Sequence, residues 1–479
     1  MADTKQKSIK KNFIMNTILT MSGFIFPIIT FPYISRVLGP DGNGHVKLAA
    51  SVVAYFAMFA QLGIPTYGIR ICAKVRDDKK ELSKTVHELL LINLLMSLVV
   101  YVPFFLSLFL VPRFQNDKAL LIITSATILF NAIGMEYLYK ALEQYTYITI
   151  RSIIFKLIGV IAMFFLVRTK DDYVIYGAIT IFAGSASNIL NLINSRKLIE
   201  YKWYGGYELK KHMKAIMVFF AMSCATTVYL NLDSVMLGFM ATDADVGYYD
   251  AAVKLKNILV GVVTSLGTVL LPRASYYVEN GQKDEFRRIT EKALNFVFIL
   301  AMPLMIYFII FAREGILFLS GGKYLPAILG MQIIMPTLIF IGVTNIMGIQ
   351  ILVPLGKEKI VLYSEIAGAV IDLIINAILI PTMKSAGAAL GTTIAEFAVL
   401  VVQYISLVKM KDDVDIKSAF FSISYWKIGL GIIVGMLLSG WVKMIDLTGI
   451  SALESKVMLQ NFILLFISFS GFSNDKDIS

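Results

Sequence analysis

Long apolar stretches alternate with short polar gaps along almost the whole chain. Most of the stretches reach the roughly 20 residues that an α-helix needs to cross a lipid bilayer. No gap reaches the roughly 50 residues of a small soluble domain. The pattern therefore predicts an all-α integral membrane protein with about 14 transmembrane helices. The predicted helices are centred on 13–35, 46–71, 89–111, 119–139, 148–167, 173–193, 215–240, 246–271, 294–311, 324–353, 360–380, 385–408, 425–445 and 457–471.

Basic residues concentrate in every second gap. Lysines and arginines cluster at 5–11, 74–84, 196–214 and 273–292, and all these gaps fall on one side of the predicted membrane. Cytoplasmic loops of membrane proteins carry an excess of Lys and Arg, which fixes their orientation. The charge pattern therefore predicts a multi-pass protein with a cytoplasmic N-terminus.

Composition supports this interpretation and limits the possible partners. Of the 479 residues, 57% are hydrophobic and 16% are charged, and the formal net charge is +11. This positive charge is interpreted as a property of the cytoplasmic surface, where it attracts anionic lipid headgroups. Nucleic-acid binding is not predicted, because no soluble domain carries a basic patch. Cys72 and Cys224 are the only cysteines, so a disulfide framework is excluded.

The sequence contains no pattern typical of an enzyme. His45, His87 and His212 lack the spacing of metal ligands. No glycine-rich phosphate loop, nucleophile elbow or zinc signature is found. We therefore predict a transporter that is not an enzyme and has no cofactor and no metal. A membrane-embedded polysaccharide polymerase is the less favoured alternative, because it would need a large loop outside the membrane.

Weak internal similarity indicates a duplication. Val37-Leu38-Gly39 resembles Met236-Leu237-Gly238, and Gly177-Ala178 resembles Gly387-Ala388. Many transporters consist of two repeats that hold substrate between them. We therefore predict two six-helix lobes related by pseudo-two-fold symmetry, in a chain that acts as a monomer. The predicted parts are an N-lobe at 1–200 (helices 1–6), a C-lobe at 201–410 (helices 7–12) and two additional helices at 411–479, of which the last is short.

Charged residues inside predicted helices are candidates for a binding site. A charge at the bilayer centre costs roughly 2.5–3.5 kcal/mol on insertion scales, so it usually faces a cavity or a partner. Asp250, Lys254 and Asn257 share one face of the eighth helix, at i, i+4 and i+7. A basic wall suits an anionic cargo such as a phosphate or pyrophosphate. For Arg70 and Arg273 the alternative is a side chain that extends from a helix end to the membrane surface.

Several short motifs resemble those of bacterial polysaccharide flippases, which translocate O-antigen, capsule and teichuronic-type repeat units. These flippases belong to the multidrug/oligosaccharidyl-lipid/polysaccharide exporter superfamily. The resemblance covers nearly the whole chain up to about residue 410, although Met135-Glu136-Tyr137 stands where family members often have Asp-Trp. The motifs that carry it are Gly63-Ile64-Pro65-Thr66-Tyr67-Gly68-Ile69-Arg70, Tyr147-Ile148-Thr149-Ile150-Arg151, Asp233-Ser234-Val235-Met236-Leu237-Gly238, Val246-Gly247-Tyr248-Tyr249-Asp250 and Leu271-Pro272-Arg273.

The resemblance implies a specific function. It implies a flippase that moves undecaprenyl-pyrophosphate-linked oligosaccharide repeat units across the bacterial cytoplasmic membrane for surface polysaccharide biosynthesis. Translocation would proceed by alternating access, with membrane lipids and a polysaccharide polymerase as further partners. The alternatives within the superfamily are a lipid II flippase and a multidrug antiporter that exports cations. An antiporter is expected to have an acidic cavity, whereas the eighth helix is basic.

The resemblance also implies roles for particular residues. A cationic cavity would receive the pyrophosphate-sugar headgroup, and a gradient of H⁺ or Na⁺ would drive transport. The substrate-binding candidates are Lys254, Arg70, Arg36, Asn257 and Arg273, and the coupling-ion candidates are Asp233, Glu136, Glu396 and Asp250.

Overall fold

The described part of the protein consists of helices joined by short turns and loops. This computed structural model describes residues 9–410 and residue 429, and these residues contain no β-strand. Eight stretches of the described chain are long and apolar enough to cross a membrane. Two of them, 14–74 and 358–409, are long enough for two crossings each. The predicted all-α membrane fold is thereby confirmed, while the predicted helices at 425–445 and 457–471 lie outside the described residues.

The helices divide into two compact units, with the boundary between Gly247 and Tyr248. The first ten helices are α1 Ile9–Gln61, α2 Ile64–Lys74, α3 Lys79–Leu110, α4 Pro112–Gln115, α5 Lys118–Gly134, α6 Glu136–Ala141, α7 Tyr145–Leu166, α8 Tyr173–Ile181, α9 Asn188–Ser195 and α10 Leu209–Met240. They are followed by α11 Asp243–Val263, α12 Ser265–Glu279, α13 Lys283–Ile310, α14 Ala312–Ser320, α15 Ala327–Ile334, α16 Thr337–Asn345 and α17 Glu358–Lys409. The predicted lobe boundary at residue 200 stays a prediction.

Large apolar side chains cover the outer faces of several helices. Phe109 and Leu110 at the end of α3 are 68% and 75% exposed, and Phe165 in α7 is 67% exposed. Soluble proteins rarely expose such extended apolar surfaces. These faces suit contact with lipid chains, as expected for membrane-spanning helices.

The longest helix of the first unit contains a sharp reversal. Gly39 has φ 71° and ψ −176°, a conformation that only glycine adopts without strain. The backbone on either side of Gly39 is helical, so this single residue separates the first two predicted membrane crossings. Gly238 of the similar motif lies two residues before α10 ends at Met240. The first copy of the repeated motif therefore ends at an interruption of the helix, and the second copy ends two residues before one.

A buried polar network fixes the start of α10. The Glu88 carboxylate of α3 accepts hydrogen bonds from the backbone N–H of Glu208 (2.9 Å), from His212 Nε2 (2.8 Å) and from Lys211 Nζ (2.9 Å). His212 Nδ1 lies 2.7 Å from the Tyr67 hydroxyl of α2. Because Glu88 is fully buried, its charge depends on these partners. The network therefore attaches α10 to α2 and α3.

The second unit is built around α17, against which α15 and α16 pack. Lys384, with φ 51° and ψ −128°, interrupts α17 and separates its two predicted crossings. α16 continues into a π-helical turn at Ile346–Leu352. The Tyr249 hydroxyl of α11 lies 2.8 Å from the Thr392 hydroxyl of α17, inside the unit. This hydrogen bond places the polar face of α11 against the second half of α17.

Candidate functional site

The basic face predicted on the eighth helix corresponds to one turn of α11. Lys254 Nζ lies 2.5 Å from the Asp250 carboxylate, so the two residues form an i,i+4 ion pair. Asp250 is buried, whereas the Lys254 side chain is 30% exposed. Asn257 is exposed on the next turn. The positive charge of Lys254 is therefore held in place by Asp250, and part of the side chain stays accessible.

Arg36 and Arg70, the two arginine candidates of the first unit, lie far apart. Arg36, Arg70 and Arg273 are all exposed, and the Arg36 guanidinium donates a hydrogen bond to the carbonyl of Pro32 (2.6 Å). The helical residues 40–61 separate Arg36 from Arg70, which corresponds to roughly 30 Å along the helix axis. Arg273 lies in α12, in the second unit. The structure therefore does not bring Arg36 and Arg70 to one headgroup, and the role of each stays a prediction.

Glu136 is held by two basic side chains. Its carboxylate lies 2.8 Å from Lys140 Nζ and 3.5 Å from the guanidinium of Arg151. Arg151 is itself buried and contacts the carbonyl of Ser187. Through Arg151, Glu136 thus joins α6 to α7. Its role in ion coupling stays a prediction, because a variant of Glu136 would also lose this contact between helices.

The other two acidic candidates are buried within the helices. Asp233 of α10 and Glu396 of α17 are 6% and 7% exposed. Asp372 and Asn376 are also buried, one turn apart on the first half of α17. A carboxylate at membrane depth must be protonated, be paired or hold a cation. Asp372 lies inside the predicted helix at 360–380, where a charge is a signal in the sequence, whereas the neutral amide of Asn376 gives no signal in a hydropathy pattern.

A second polar cluster lies at the reversal of α1. His45 Nδ1 lies 2.9 Å from the Asp117 carboxylate, and the Arg113 guanidinium contacts the carboxylates of Asp117 (3.4 Å) and Asp243. The ligand atoms of His45, Asp117 and Asp243 lie within 4.8 Å of one another, as metal ligands do. However, Arg113 already supplies a positive charge to both carboxylates. The cluster therefore joins three places that are far apart in sequence: the part of α1 after Gly39, the turn between α4 and α5, and the start of α11. No sequence pattern predicted these contacts.

A cavity of about 550 Å³ lies inside the first unit, which we call the neutral cavity. It opens where the second predicted membrane helix is broken, because α1 ends at Gln61 and α2 begins at Ile64. Leu62 and Gly63 have positive φ values of 46° and 74°. None of the lining residues is charged, and many have hydroxyl or amide groups. The polar lining includes Gln61, Thr127, Asn131, Ser185, Thr227 and Asn231.

Broken membrane helices together with carboxylates buried at membrane depth define a polytopic membrane protein of the transporter class. A family model described as "Polysaccharide biosynthesis protein" matches residues 9–278, and a model described as MatE matches residues 219–378. Since the first model covers more than half of the 479 residues, the chain belongs to the polysaccharide biosynthesis protein family. This confirms the predicted membership in the flippase branch of the exporter superfamily.

Two similar proteins match most of the chain, and their names support this family assignment. A protein of Escherichia coli (strain K12) named "Putative O-antigen transporter" is 24% identical over 395 residues, which are 81% of this chain and 94% of that protein. A Shigella dysenteriae protein of the same name is 25% identical over 379 residues, or 76% of this chain and 91% of its own length.

Two solved structures share the fold. The lipid II flippase MurJ in an inward closed conformation has a TM-score of 0.73 at 16% identity, and the match covers 95% of this chain and 98% of MurJ. An inward-facing multidrug resistance MATE transporter has a TM-score of 0.61 at 12% identity, with 84% and 99% covered. At these identities the similarity establishes the fold alone.

Proposed function

We propose that this protein is a flippase that moves undecaprenyl-pyrophosphate-linked oligosaccharide repeat units across the bacterial cytoplasmic membrane for surface polysaccharide biosynthesis. The observation that carries the proposal is the match of the polysaccharide biosynthesis family over residues 9–278, together with similarity to proteins named as O-antigen transporters over more than nine-tenths of their length. The protein acts as a monomeric multi-pass transporter by alternating access, with a cytoplasmic N-terminus.

The α11 ion pair supports a role for Lys254 in binding the anionic headgroup. An ammonium group anchored by a buried carboxylate and still 30% exposed is oriented for a second anionic partner. Asn257 on the next turn adds a neutral donor. Arg36 and Arg70 are proposed to contact the cargo at different stages, because they lie far apart within the first unit, and Arg273 of the second unit is proposed as a further contact.

The buried carboxylates support coupling to a gradient of H⁺ or Na⁺. Asp233, Glu396 and Asp250 are nearly excluded from solvent, and a buried carboxylate whose partner changes during transport takes up a proton or a cation in its place. Glu136 and Asp250 are the weaker coupling candidates, since Lys140 and Arg151 balance the charge of Glu136 and Lys254 balances that of Asp250. A polysaccharide polymerase is the expected recipient of the translocated repeat unit.

We expect a strain that lacks this protein to accumulate completed lipid-linked repeats and to lose the surface polymer. The physical reason is that a charged pyrophosphate-sugar headgroup does not cross hydrocarbon unaided. Mass spectrometry of the undecaprenyl lipid pool measures this, with the strain carrying the intact gene on a plasmid as control. A normal pool with increased sensitivity to toxic cations would contradict the proposal and indicate drug export, and accumulation of lipid II alone would indicate the alternative lipid cargo.

A further inference from the structure

The neutral cavity differs from the rest of the candidate site because it contains polar groups without charges. Its lining residues come from α1, α2, α5, α8, α10, the break at Gly63 and the π-helical turn Phe182–Ala186, all within the first unit. A pyrophosphate or an organic cation would lose its hydration there without meeting an opposite charge, which is strongly unfavourable. The cavity therefore selects for an uncharged polar ligand.

Several polar groups of the lining have no hydrogen-bond partner among the residues that the structure describes. The Thr127 hydroxyl oxygen is buried without a partner. Gln61, Ser223 and Thr227 are half-buried, and their side chains make no hydrogen bond within the described chain. The Asn131 amide oxygen accepts a hydrogen bond from Asn188 (3.2 Å), which leaves its NH₂ group available. Buried polar groups are normally satisfied, so the Thr127 hydroxyl indicates a ligand or ordered water, and the half-buried groups offer further hydrogen bonds from the same lining.

The donors and acceptors match the chemistry of sugars. Hydroxyl groups of threonine and serine donate and accept, and the amides of Gln61 and Asn131 add fixed donors and acceptors. A sugar ring offers hydroxyl groups that also do both. The volume of about 550 Å³ lies within the roughly 300–1,000 Å³ of small-molecule sites.

The local backbone is also irregular, as binding sites in membrane transporters often are. The chain is non-helical between Gln61 and Ile64, and Ser185 lies in a π-helical turn. Discontinuous helices surround transporter binding sites, and π-helical turns occur frequently at functional sites. Both irregularities lie on the wall of the same cavity.

We propose that the neutral cavity binds a sugar residue of the lipid-linked oligosaccharide through hydrogen bonds to its hydroxyl groups. This inference rests on the proposed function and assigns the recognition of the sugar to a different place from that of the pyrophosphate. The cavity lining, rather than the charged residues, then determines which repeat units are accepted.

The test removes two unpartnered hydroxyl groups without changing the shape of the lining. Thr127→Val/Thr227→Val is the double variant, and Thr226→Val is the matched control, because Thr226 is exposed and its hydroxyl bonds the carbonyl of Met222. Purified full-length protein is offered two probes in competition native mass spectrometry. The probes are the lipid-linked oligosaccharide extracted from the deletion strain and sugar-free undecaprenyl pyrophosphate.

We expect the double variant to bind the sugar-linked lipid about tenfold more weakly, since two hydrogen bonds to the ligand are lost. Its affinity for sugar-free undecaprenyl pyrophosphate should stay within about twofold of the wild type, and the control should match the wild type with both probes. The unfolding temperature of the unliganded double variant should not fall, because the deleted hydroxyl groups stabilise nothing in the unliganded protein. If this variant nevertheless fails to fold, Ser223→Ala is used with the same expectations.

The outcomes separate this inference from the proposed function. Unchanged binding of the sugar-linked lipid by the double variant would overturn the sugar site. Equal affinity of the wild type for sugar-linked and sugar-free lipid would also overturn it, while the flippase proposal would stand. Binding of neither lipid by the wild type would count against the flippase proposal and therefore against both.

Discussion

Lys254→Ala is expected to abolish export of the surface polymer while the protein remains in the membrane at its normal abundance. Lys254 Nζ lies 2.5 Å from Asp250 and part of the side chain stays accessible, so it is positioned for an anionic headgroup. Truncating one partner of a hydrogen-bonded charge pair across a binding interface costs about 2–5 kcal/mol, so losing the proposed contact between Lys254 and the headgroup corresponds to a loss of roughly 30-fold or more in binding. Surface polymer measured per unit of membrane-inserted protein tests this expectation.

The same substitution also leaves the buried carboxylate of Asp250 without its lysine, so a structural effect must be separated from a loss of cargo binding. Lys254→Arg keeps the positive charge and should retain most export. The double variant Asp250→Asn/Lys254→Ala removes both charges. Because Asp250 is itself a coupling candidate, the double variant is compared by its affinity for sugar-free undecaprenyl pyrophosphate rather than by export. If Lys254 only balances Asp250, the double variant binds this lipid as tightly as the wild type, and the binding role of Lys254 is then wrong. If Lys254 binds the cargo, the affinity of the double variant stays low.

Gly63→Ala is expected to have the second large effect, on both folding and export. Gly63 has φ +74°, and an added Cβ would lie 2.5 Å from the backbone carbonyl carbon of Phe219 and from the backbone nitrogen of Phe220. The left-handed conformation costs an L-residue roughly 1–2 kcal/mol, and overpacking adds about 1–3 kcal/mol. Because backbone atoms cannot move aside as a side chain does, α10 would have to shift at the neutral cavity.

Gly205→Ala is the matched control for this prediction. Gly205 has φ +68°, yet its added Cβ would meet no atom within 4 Å. It therefore reports the backbone strain alone, which we expect to cost roughly 1–2 kcal/mol. Thermal unfolding of the two purified variants gives the comparison. Equal unfolding temperatures would show that α10 does not approach Gly63 as closely as the structure describes.

The apolar pattern predicted the helices within the membrane but not their full lengths. The predicted stretch 89–111 corresponds to α3 Lys79–Leu110, and 294–311 corresponds to α13 Lys283–Ile310. In both cases charged residues form the first turns of the helix, where hydropathy falls although helix propensity stays high. Hydropathy reports the part of a helix that suits lipid, so it cannot show where a helix begins outside the membrane.

The candidate site was predictable only where it depends on local spacing. The i,i+4 spacing correctly placed Asp250 and Lys254 on one face, but it did not indicate that the two charges pair with each other. The contacts of His45 with Asp117 and of Glu88 with His212 join residues that are distant in sequence. Their partners are determined by helix packing, which a single sequence does not encode locally.

The neutral cavity also could not be predicted from the sequence, because it too depends on how the helices pack. Thr127 and Thr227 are ordinary residues of membrane helices, and they belong to α5 and α10. Neither forms a motif with its neighbours in sequence. Only the packing of the first unit shows that their hydroxyl groups line the same space.

The most direct test of the central proposal is translocation by the purified protein in lipid vesicles. Vesicles that contain the lipid-linked oligosaccharide are treated with periodate under conditions where it does not cross the membrane, so that only sugars in the outer leaflet are oxidised. Wild-type protein should raise the oxidised fraction above that of protein-free vesicles, towards complete reaction, and Lys254→Ala should leave it at the protein-free level. Equal oxidation with and without the wild-type protein would contradict the flippase function.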